Sequence, residues 1–133
     1  MEKKFNGFKD LIVWQKAYEL SLLIYRKTAS FPRSETYGLV SQLRRCSVSV
    51  PSNISEGYER KGSKEYQRFL NIAKGSLGEL ETQILLAKDL GYIKQESWKE
   101  IDDLRQETMR TLRGLIKSLY YCTTSYYTTN KVK

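Results

Sequence analysis

The sequence contains no histidine, and it has only two cysteines and two prolines among its 133 residues. Without histidine it lacks the side chain that most often serves as a general base and as a metal ligand. The two cysteines, Cys46 and Cys122, lie too far apart to form a disulfide framework or a structural zinc site. We therefore expect no metal, no cofactor and no enzymatic activity. A catalytic arrangement of Lys, Tyr and Glu side chains stays as an alternative.

Long hydrophobic runs are also missing from the sequence. A membrane-spanning helix needs a run of about 18 or more apolar residues, and the chain has no such run. The first residues, MEKKFNGFKDLIVWQKAYEL, intersperse charges among apolar residues, whereas a signal peptide has an uninterrupted apolar stretch. We expect a cytoplasmic protein with free thiols and no membrane association.

Positive charge is what the sequence has in excess. Lys and Arg number 23 and Asp and Glu number 15, which gives a formal net charge of +8. Such a balance favours contact with an anionic partner, although by itself it bears on solubility and nonspecific association.

Apolar residues recur at spacings of three and four in successive segments, which predicts amphipathic helices. The first helix is predicted from about Phe8 to Phe31 and has two apolar stripes. One stripe contains Leu11, Trp14, Tyr18, Leu22 and Tyr25, and the other contains Val13, Ala17, Leu20 and Ile24. Because one core contact needs only one stripe, the surplus indicates a second surface, which another subunit would bury.

The second helix is predicted to start near Glu35, after a cap at Ser34. Its apolar stripe of Leu39, Leu43, Cys46, Val50 and Ile54 keeps its phase across Pro51. Pro51 has no amide hydrogen to donate to the Ser47 carbonyl, at a cost of roughly 3 kcal/mol that packing must offset. We therefore expect one helix that is kinked at Pro51.

The third helix is predicted from Ser63 to a glycine cap at Gly91. Its core seam contains Tyr66, Leu70, Ala73, Leu77, Leu80, Ile84 and Ala87. A stripe of small residues runs beside the seam and predicts the close approach of another backbone. This stripe consists of Asn71, Gly75, Gly78 and Thr82.

The fourth helix is predicted to open at Ser97, which has capping-box spacing to Glu100. Four helices with short corners and no strand pattern predict an all-α fold, an antiparallel up-down-up-down four-helix bundle. We expect residues 1–133 to form a single domain whose tail, 121–133, is frayed or disordered.

The segment GYERKGSK has the glycine spacing of a phosphate-binding loop, but its last two residues are Ser63 and Lys64, the reverse of the required order. No strand precedes it either, so a helical corner is the better interpretation.

An interaction between helices is expected at Glu79, which lies next to the core seam. We predict that it pairs with Arg44 or Asn53 across the helix interface, since a charge there needs a partner.

Clusters of basic residues are the candidate binding site. Rows of Arg and Lys on helix faces can neutralise phosphates, and Tyr58 or Tyr66 could stack on unpaired bases. The alternative is that these residues are ordinary solvated helix faces. The candidate nucleic-acid-binding residues are Arg44, Arg45, Arg60, Lys61, Lys64, Arg68, Arg105, Arg110, Arg113 and Lys117.

Three stretches of the sequence resemble a known family. FKDLIVWQKAYEL, SVPSNISEG and GSLGELETQ are similar to the bacterial 23S rRNA intervening-sequence protein family, and the resemblance covers roughly residues 5–120. It implies a four-helix bundle that assembles into a barrel-like homopentamer without known enzymatic activity. A similar bundle is the accessory protein of diversity-generating retroelements, which is thought to work with a reverse transcriptase and nucleic acid.

The family motif maps onto residues that we interpret mainly as structural. These are Arg44, Arg45, Pro51, Asn53, Glu56, Gly57, Gly75, Glu79 and Glu81. We expect a noncatalytic, oligomeric nucleic-acid-binding protein, with RNA favoured over DNA as the ligand. The alternative is a protein-interaction scaffold, an accessory subunit that binds an acidic protein or a polymerase-type enzyme.

Overall fold

The computed structural model describes residues 6–131, with side chains up to residue 120. It contains α1 (Ile12–Thr28), α2 (Leu39–Glu59), α3 (Ser63–Asp89) and α4 (Gln95–Lys131), with short 3₁₀ turns at Gly7–Asp10 and Arg33–Glu35. No strand occurs in this described part of the chain. The predicted all-α fold with four helices is confirmed, and it is consistent with a four-helix bundle. The predicted fraying or disorder of the tail, 121–133, is not tested by the described residues and stays a prediction.

The core is formed by the stripes that the spacing of apolar residues predicts. On α1 the stripe of Val13, Ala17, Leu20 and Ile24 is at most 2% exposed, and on α3 Leu70, Ala73, Leu77 and Leu80 are fully buried. Leu43, Val50 and Ile54 of α2 and Ile101 and Leu112 of α4 complete it. All four helices therefore bury one face in a common core.

The predicted starts of α2 and α4 are wrong. Residues 33–35 form a 3₁₀ turn, so α2 begins at Leu39, after Gly38, and Ser34 caps nothing. The carboxylate of Glu35 accepts the Leu39 amide at 3.2 Å and supplies part of the missing cap. α4 already begins at Gln95, which places Ser97 inside the helix, where it cannot form the predicted capping box.

Glycines with positive φ form the corners on either side of α3. Gly62 precedes the helix with φ 103°, and Gly91 follows it with φ 81°. The amide of Tyr92 donates to the Ala87 carbonyl at 2.9 Å across this turn. The predicted cap at Gly91 is confirmed, because the left-handed conformation there suits glycine and few other residues.

The helices α2 and α3 approach each other closely at Gly57. A Cβ atom there would lie 2.8 Å from Cβ of Phe69, a distance that requires one of the two helices to shift. Farther along, the hydroxyls of Ser49 and Ser76 are 2.9 Å apart. Gly57 of α2 thus meets Phe69 of α3, and the earlier residue Ser49 meets the later residue Ser76. This is the order of contacts expected of antiparallel neighbours.

The small-residue stripe of α3 does not meet another backbone within the chain. A Cβ atom at Gly75 or Gly78 would have nothing within 4 Å, and both residues are exposed. The prediction of a close backbone approach at these glycines is therefore wrong for contacts inside this chain.

Pro51 lies inside α2, which continues as one helix from Leu39 to Glu59. The Ser47 carbonyl, which proline leaves without an amide donor, accepts the hydroxyl of Ser21 on α1 at 2.9 Å. Ser47 is fully buried and Ser21 is 8% exposed, so water does not replace this donor. A side chain of α1 thereby satisfies the backbone group that Pro51 leaves unpaired.

We predict that Ser21→Ala lowers the free energy of unfolding by about 1–3 kcal/mol, because the Ser47 carbonyl stays buried without a partner. In a Pro51→Ala background the new amide can donate to that carbonyl, so the same change should cost less than half as much. Urea unfolding of the single and double variants measures the coupling.

The matched control is Ser118→Ala, which removes an exposed hydroxyl bonded to the Leu115 carbonyl of its own helix. This change should alter the free energy of unfolding by less than about 0.5 kcal/mol. Equal losses from Ser21→Ala in the two backgrounds would show that the hydroxyl does not compensate for the proline.

Candidate nucleic-acid interface

Three basic residues predicted to act together lie on one exposed face of α4. Arg110, Arg113 and Lys117 are spaced by three and four residues, and all are exposed. Arg110 and Arg113 border a groove of about 260 Å³ between α3 and α4, with Glu81 and Gln106 among its other walls. We call these three residues the α4 basic row. Their guanidinium and ammonium groups are accessible to an anion.

Arg105 has a different environment from the α4 basic row. It is 6% exposed. Its Nε donates to Asp102 at 2.8 Å, and a terminal nitrogen lies 3.1 Å from a Glu81 oxygen on α3. Because these carboxylates already occupy the guanidinium, Arg105 joins α3 to α4, and the geometry does not favour it as a phosphate contact.

The corner between α2 and α3 carries the second basic cluster. Lys61 and Lys64 are exposed. Arg60 pairs with Glu56 at 2.7 Å, and Arg68 lies 3.7 Å from Glu65. Exposed ion pairs of this kind contribute little to stability, so both arginines can exchange a carboxylate for a phosphate. Both guanidinium groups also lie over the Phe69 ring, at 5.2 and 5.5 Å from its centroid.

Arg44 and Arg45 are adjacent in sequence but serve different surfaces. Arg44 donates to the Thr28 hydroxyl at 3.0 Å and lies 4.5 Å from the centre of the Tyr25 ring, so it fastens α2 to the end of α1. Arg45 is exposed and borders a groove of about 290 Å³. We call this the α2–α3 groove, and its other walls include Cys46, Ser49, Ser76, Glu79 and Gln83.

The predicted pairing of Glu79 with Arg44 or Asn53 is wrong. Arg44 is directed towards α1, as described above, and the Asn53 amide donates to the Ser49 carbonyl at 2.7 Å. Glu79 instead lies 3.6 Å from the sulfur of Cys46. The sequence spacing placed Glu79 beside α2 correctly but did not identify the side chain that it meets.

Cys46 is a buried thiol held by two acceptors. Its single S–H hydrogen is shared between the Ser76 carbonyl, 3.1 Å from the sulfur, and the Glu79 carboxylate, 3.6 Å from it. Burial, and after it the negative charge and hydrogen bond of Glu79, together raise the pKa of Cys46 from 9.0 to about 12. The group therefore remains a thiol at neutral pH and is a poor nucleophile and metal ligand.

The second predicted stripe of α1 divides: Leu11 and Trp14 are half-buried against the core, whereas Tyr18, Leu22 and Tyr25 face away from it. Tyr18, Leu22 and Tyr25 are 49%, 40% and 44% exposed. Together with Trp14 and with Val48 and Pro51 of α2 they border a groove of about 470 Å³, which we call the apolar groove. The sequence did not show that α2 forms the second wall, because the rotation of α2 about its axis depends on packing.

Neither a metal-binding cluster nor a membrane-spanning helix occurs among the described residues. No group of three or more Cys, Asp and Glu side chains among them is arranged to hold a metal ion. None of the helices, over the part of the chain described, combines the length and apolar character that crossing a membrane requires.

We predict that Cys46 reacts with iodoacetamide at pH 8 about 1,000-fold more slowly than an ordinary thiol, because its pKa of about 12 leaves little thiolate. A Cys122→Ser variant leaves Cys46 as the only thiol, and mass spectrometry follows its alkylation. The alkylation rate of Cys46 should keep rising above pH 9.0, where the rate of an ordinary thiol levels off. The urea-unfolded variant is the control and should react at the ordinary rate; an ordinary rate in the folded protein would contradict the assigned environment.

Comparisons with known proteins agree with the resemblance found in the sequence. A crystal structure of a protein with unknown function from the S23 ribosomal protein family of Bacteroides thetaiotaomicron matches with a TM-score of 0.74 and 24% identity, over 82% of this chain and 98% of the other. At that identity the likeness concerns the fold. A search of curated proteins gave no match. The family profile described as 23S rRNA-intervening sequence protein matches residues 9–114, and the chain therefore belongs to this family.

Proposed function

We propose that the protein is a noncatalytic, oligomeric nucleic-acid-binding protein of the cytoplasm that contacts the phosphates of structured RNA. The observation that carries this proposal is the α4 basic row, Arg110, Arg113 and Lys117, exposed along one face of a helix. A net charge of +8 adds a favourable long-range field for a polyanion. The family name refers to 23S rRNA, which is consistent with RNA as the ligand.

An antiparallel up-down-up-down arrangement, with a bend at Pro51, is part of the proposal. Its support is the paired numbering of α2 and α3, and that of α3 and α4, where Lys88 meets Trp98 and Glu81 meets Arg105. From the contact of Glu81 with Arg105, α3 back to Arg68 and α4 forward to Lys117 each extend about 18–20 Å at about 1.5 Å per residue. In antiparallel helices these residues lie at a similar height, so the α4 basic row leads towards the basic corner of Arg60, Lys61, Lys64 and Arg68.

Self-association is the second part of the proposal, with a homopentamer as the form that the family resemblance implies. The apolar groove supports it, since Tyr18, Leu22 and Tyr25 are exposed side by side along one groove and are not scattered single residues. Symmetry would repeat each basic row around the oligomer. Individually weak phosphate contacts then add through a high effective concentration.

The alternative function is a protein-interaction scaffold that binds an acidic partner or a polymerase-type enzyme. The apolar groove beside an exposed basic surface also suits such a partner. Pull-downs that survive nuclease treatment would favour this alternative over direct RNA binding.

We predict that reversing the charges of the α4 basic row, with Arg110→Glu, Arg113→Glu and Lys117→Glu, weakens binding to a labelled structured RNA at least tenfold at low salt. Fluorescence anisotropy at several salt concentrations measures it. Wild type should show a log-log salt slope of several units, and the variant should lose about 2–3 units of it, because fewer phosphates are neutralised.

The matched control carries Arg33→Glu, Lys74→Glu and Lys94→Glu, which change the net charge equally at other exposed positions. It should weaken binding less than threefold. An equal loss in both triple variants would mean that only net charge matters. Absence of binding by the wild type to RNA and DNA at low salt would overturn the proposed function.

We predict that Leu22→Glu in the apolar groove lowers the molar mass measured by light scattering after size exclusion, because a carboxylate there cannot be desolvated at an interface. The matched control is Ile72→Glu on α3, since Leu22 and Ile72 are 40% and 42% exposed. The control should keep the wild-type mass. A wild type that is monomeric at about 100 μM, above typical dissociation constants of stable oligomers, would contradict self-association.

A further inference from the structure

The α2–α3 groove holds opposite charges that do not neutralise each other. Arg45 and Glu79 both border it, and within the described residues neither takes part in an ion pair. The hydrogen bond that Glu79 makes there is with the weak donor Cys46. The guanidinium and the carboxylate therefore keep most of their hydrogen-bonding capacity for a polar ligand that lies between the two helices.

A buried acceptor lies in the same groove and points independently to a ligand. Gln83 is 9% exposed, and its side-chain oxygen is buried without a hydrogen-bond partner in the described part of the structure. Buried polar atoms in native proteins are nearly always paired, and an exception calls for an unseen donor. The groove thus has an unsatisfied acceptor at its wall, a carboxylate, and a guanidinium.

The pattern of donors and acceptors narrows the class of ligand. A carboxylate accepts best from two adjacent N–H donors, and a guanidinium donates best to two adjacent acceptors. An unpaired guanine has both patterns, since N1–H and the N2 amino group lie together on one edge and O6 and N7 lie together on another. Adenine, cytosine and uracil lack the adjacent pair of N–H donors.

Resting on the RNA-binding function proposed above, we propose that the α2–α3 groove binds an unpaired guanine base. Glu79 accepts from N1–H and the N2 amino group and Arg45 donates to O6 and N7, while the Gln83 side chain rotates to bring its buried oxygen to a remaining amino hydrogen. The hydroxyls of Ser49 and Ser76, which are 2.9 Å apart, also border the groove. Its volume of about 290 Å³ admits one base. The site gives base selectivity, and the α4 basic row gives affinity for phosphate.

The test uses hairpin RNAs that share one stem and differ in one unpaired loop base. Guanine should bind wild type about tenfold tighter than adenine, cytosine or uracil. Inosine, which lacks the N2 amino group, and 7-deazaguanine, which lacks the N7 acceptor, should each lose most of that preference. Equal affinities across the six loop bases would overturn the inference.

Variants separate this site from the phosphate contacts. Glu79→Gln should remove the difference between guanine and inosine while leaving the salt slope unchanged, and Arg45→Gln should remove the difference between guanine and 7-deazaguanine. Glu96→Gln, at an exposed carboxylate of α4, is the matched control and should keep both differences. Circular dichroism checks the fold, and if a variant unfolds, the base analogues still decide the question with wild-type protein.

The two proposals can fail separately. Salt-dependent RNA binding without a base preference overturns the guanine site and leaves the proposed function standing. If wild type binds no RNA, the proposed function fails, and guanosine at millimolar concentration then tests the groove without phosphate. Shifts of the Gln83 side-chain amide in a ¹⁵N–¹H spectrum with guanosine, and not with adenosine, support the site; their absence overturns it.

Discussion

The buried hydrogen bond from Ser21 to the Ser47 carbonyl joins α1 to α2 where proline removes the backbone donor. It places Ser21 against the turn of α2 that contains Pro51, and together with the buried apolar stripe it sets the rotation of α1 about its axis. The stripe of Val13, Ala17, Leu20 and Ile24 then faces the core, and Tyr18, Leu22 and Tyr25 face outwards. One buried polar contact thus separates the surface that stabilises the chain from the surface available to a partner. Pro51 itself forms part of the apolar groove.

Sequence spacing predicted the features that depend on local periodicity. The buried stripes of α1 and α3 and the cap at Gly91 follow from a period of about 3.6 residues and from the backbone freedom of glycine. The starts of α2 and α4 were not predictable in this way. Serine is a favoured capping residue, but the helices do not begin at Ser34 and Ser97. Whether a residue caps a helix depends on its backbone geometry, which the residue type alone does not show.

The basic residues show what one sequence leaves undetermined. Arg44 and Arg45 are neighbours, yet one fastens α2 to α1 and the other borders a polar groove. Arg105 lies five residues before Arg110 on α4 and is buried between two carboxylates, whereas Arg110 is exposed. The two arginines of each pair carry the same charge, and the sequence does not show which of them contacts a neighbouring helix and which is exposed. The rotation of the helices about their axes decides it. The same rotation gave Glu79 a thiol as its neighbour in place of a cation.

The exposed glycines of α3 make one wall of the α2–α3 groove mechanically compliant. Gly75 and Gly78 flank the turn that carries Ser76, and each lowers helix propensity by about 1 kcal/mol relative to alanine. Leu77 and Leu80 on the opposite side of the same turns are fully buried and anchor it to the core. The outer side of this turn is therefore weakly held, whereas its inner side is held by the buried leucines. A ligand in the groove would meet least resistance from α3 at this turn.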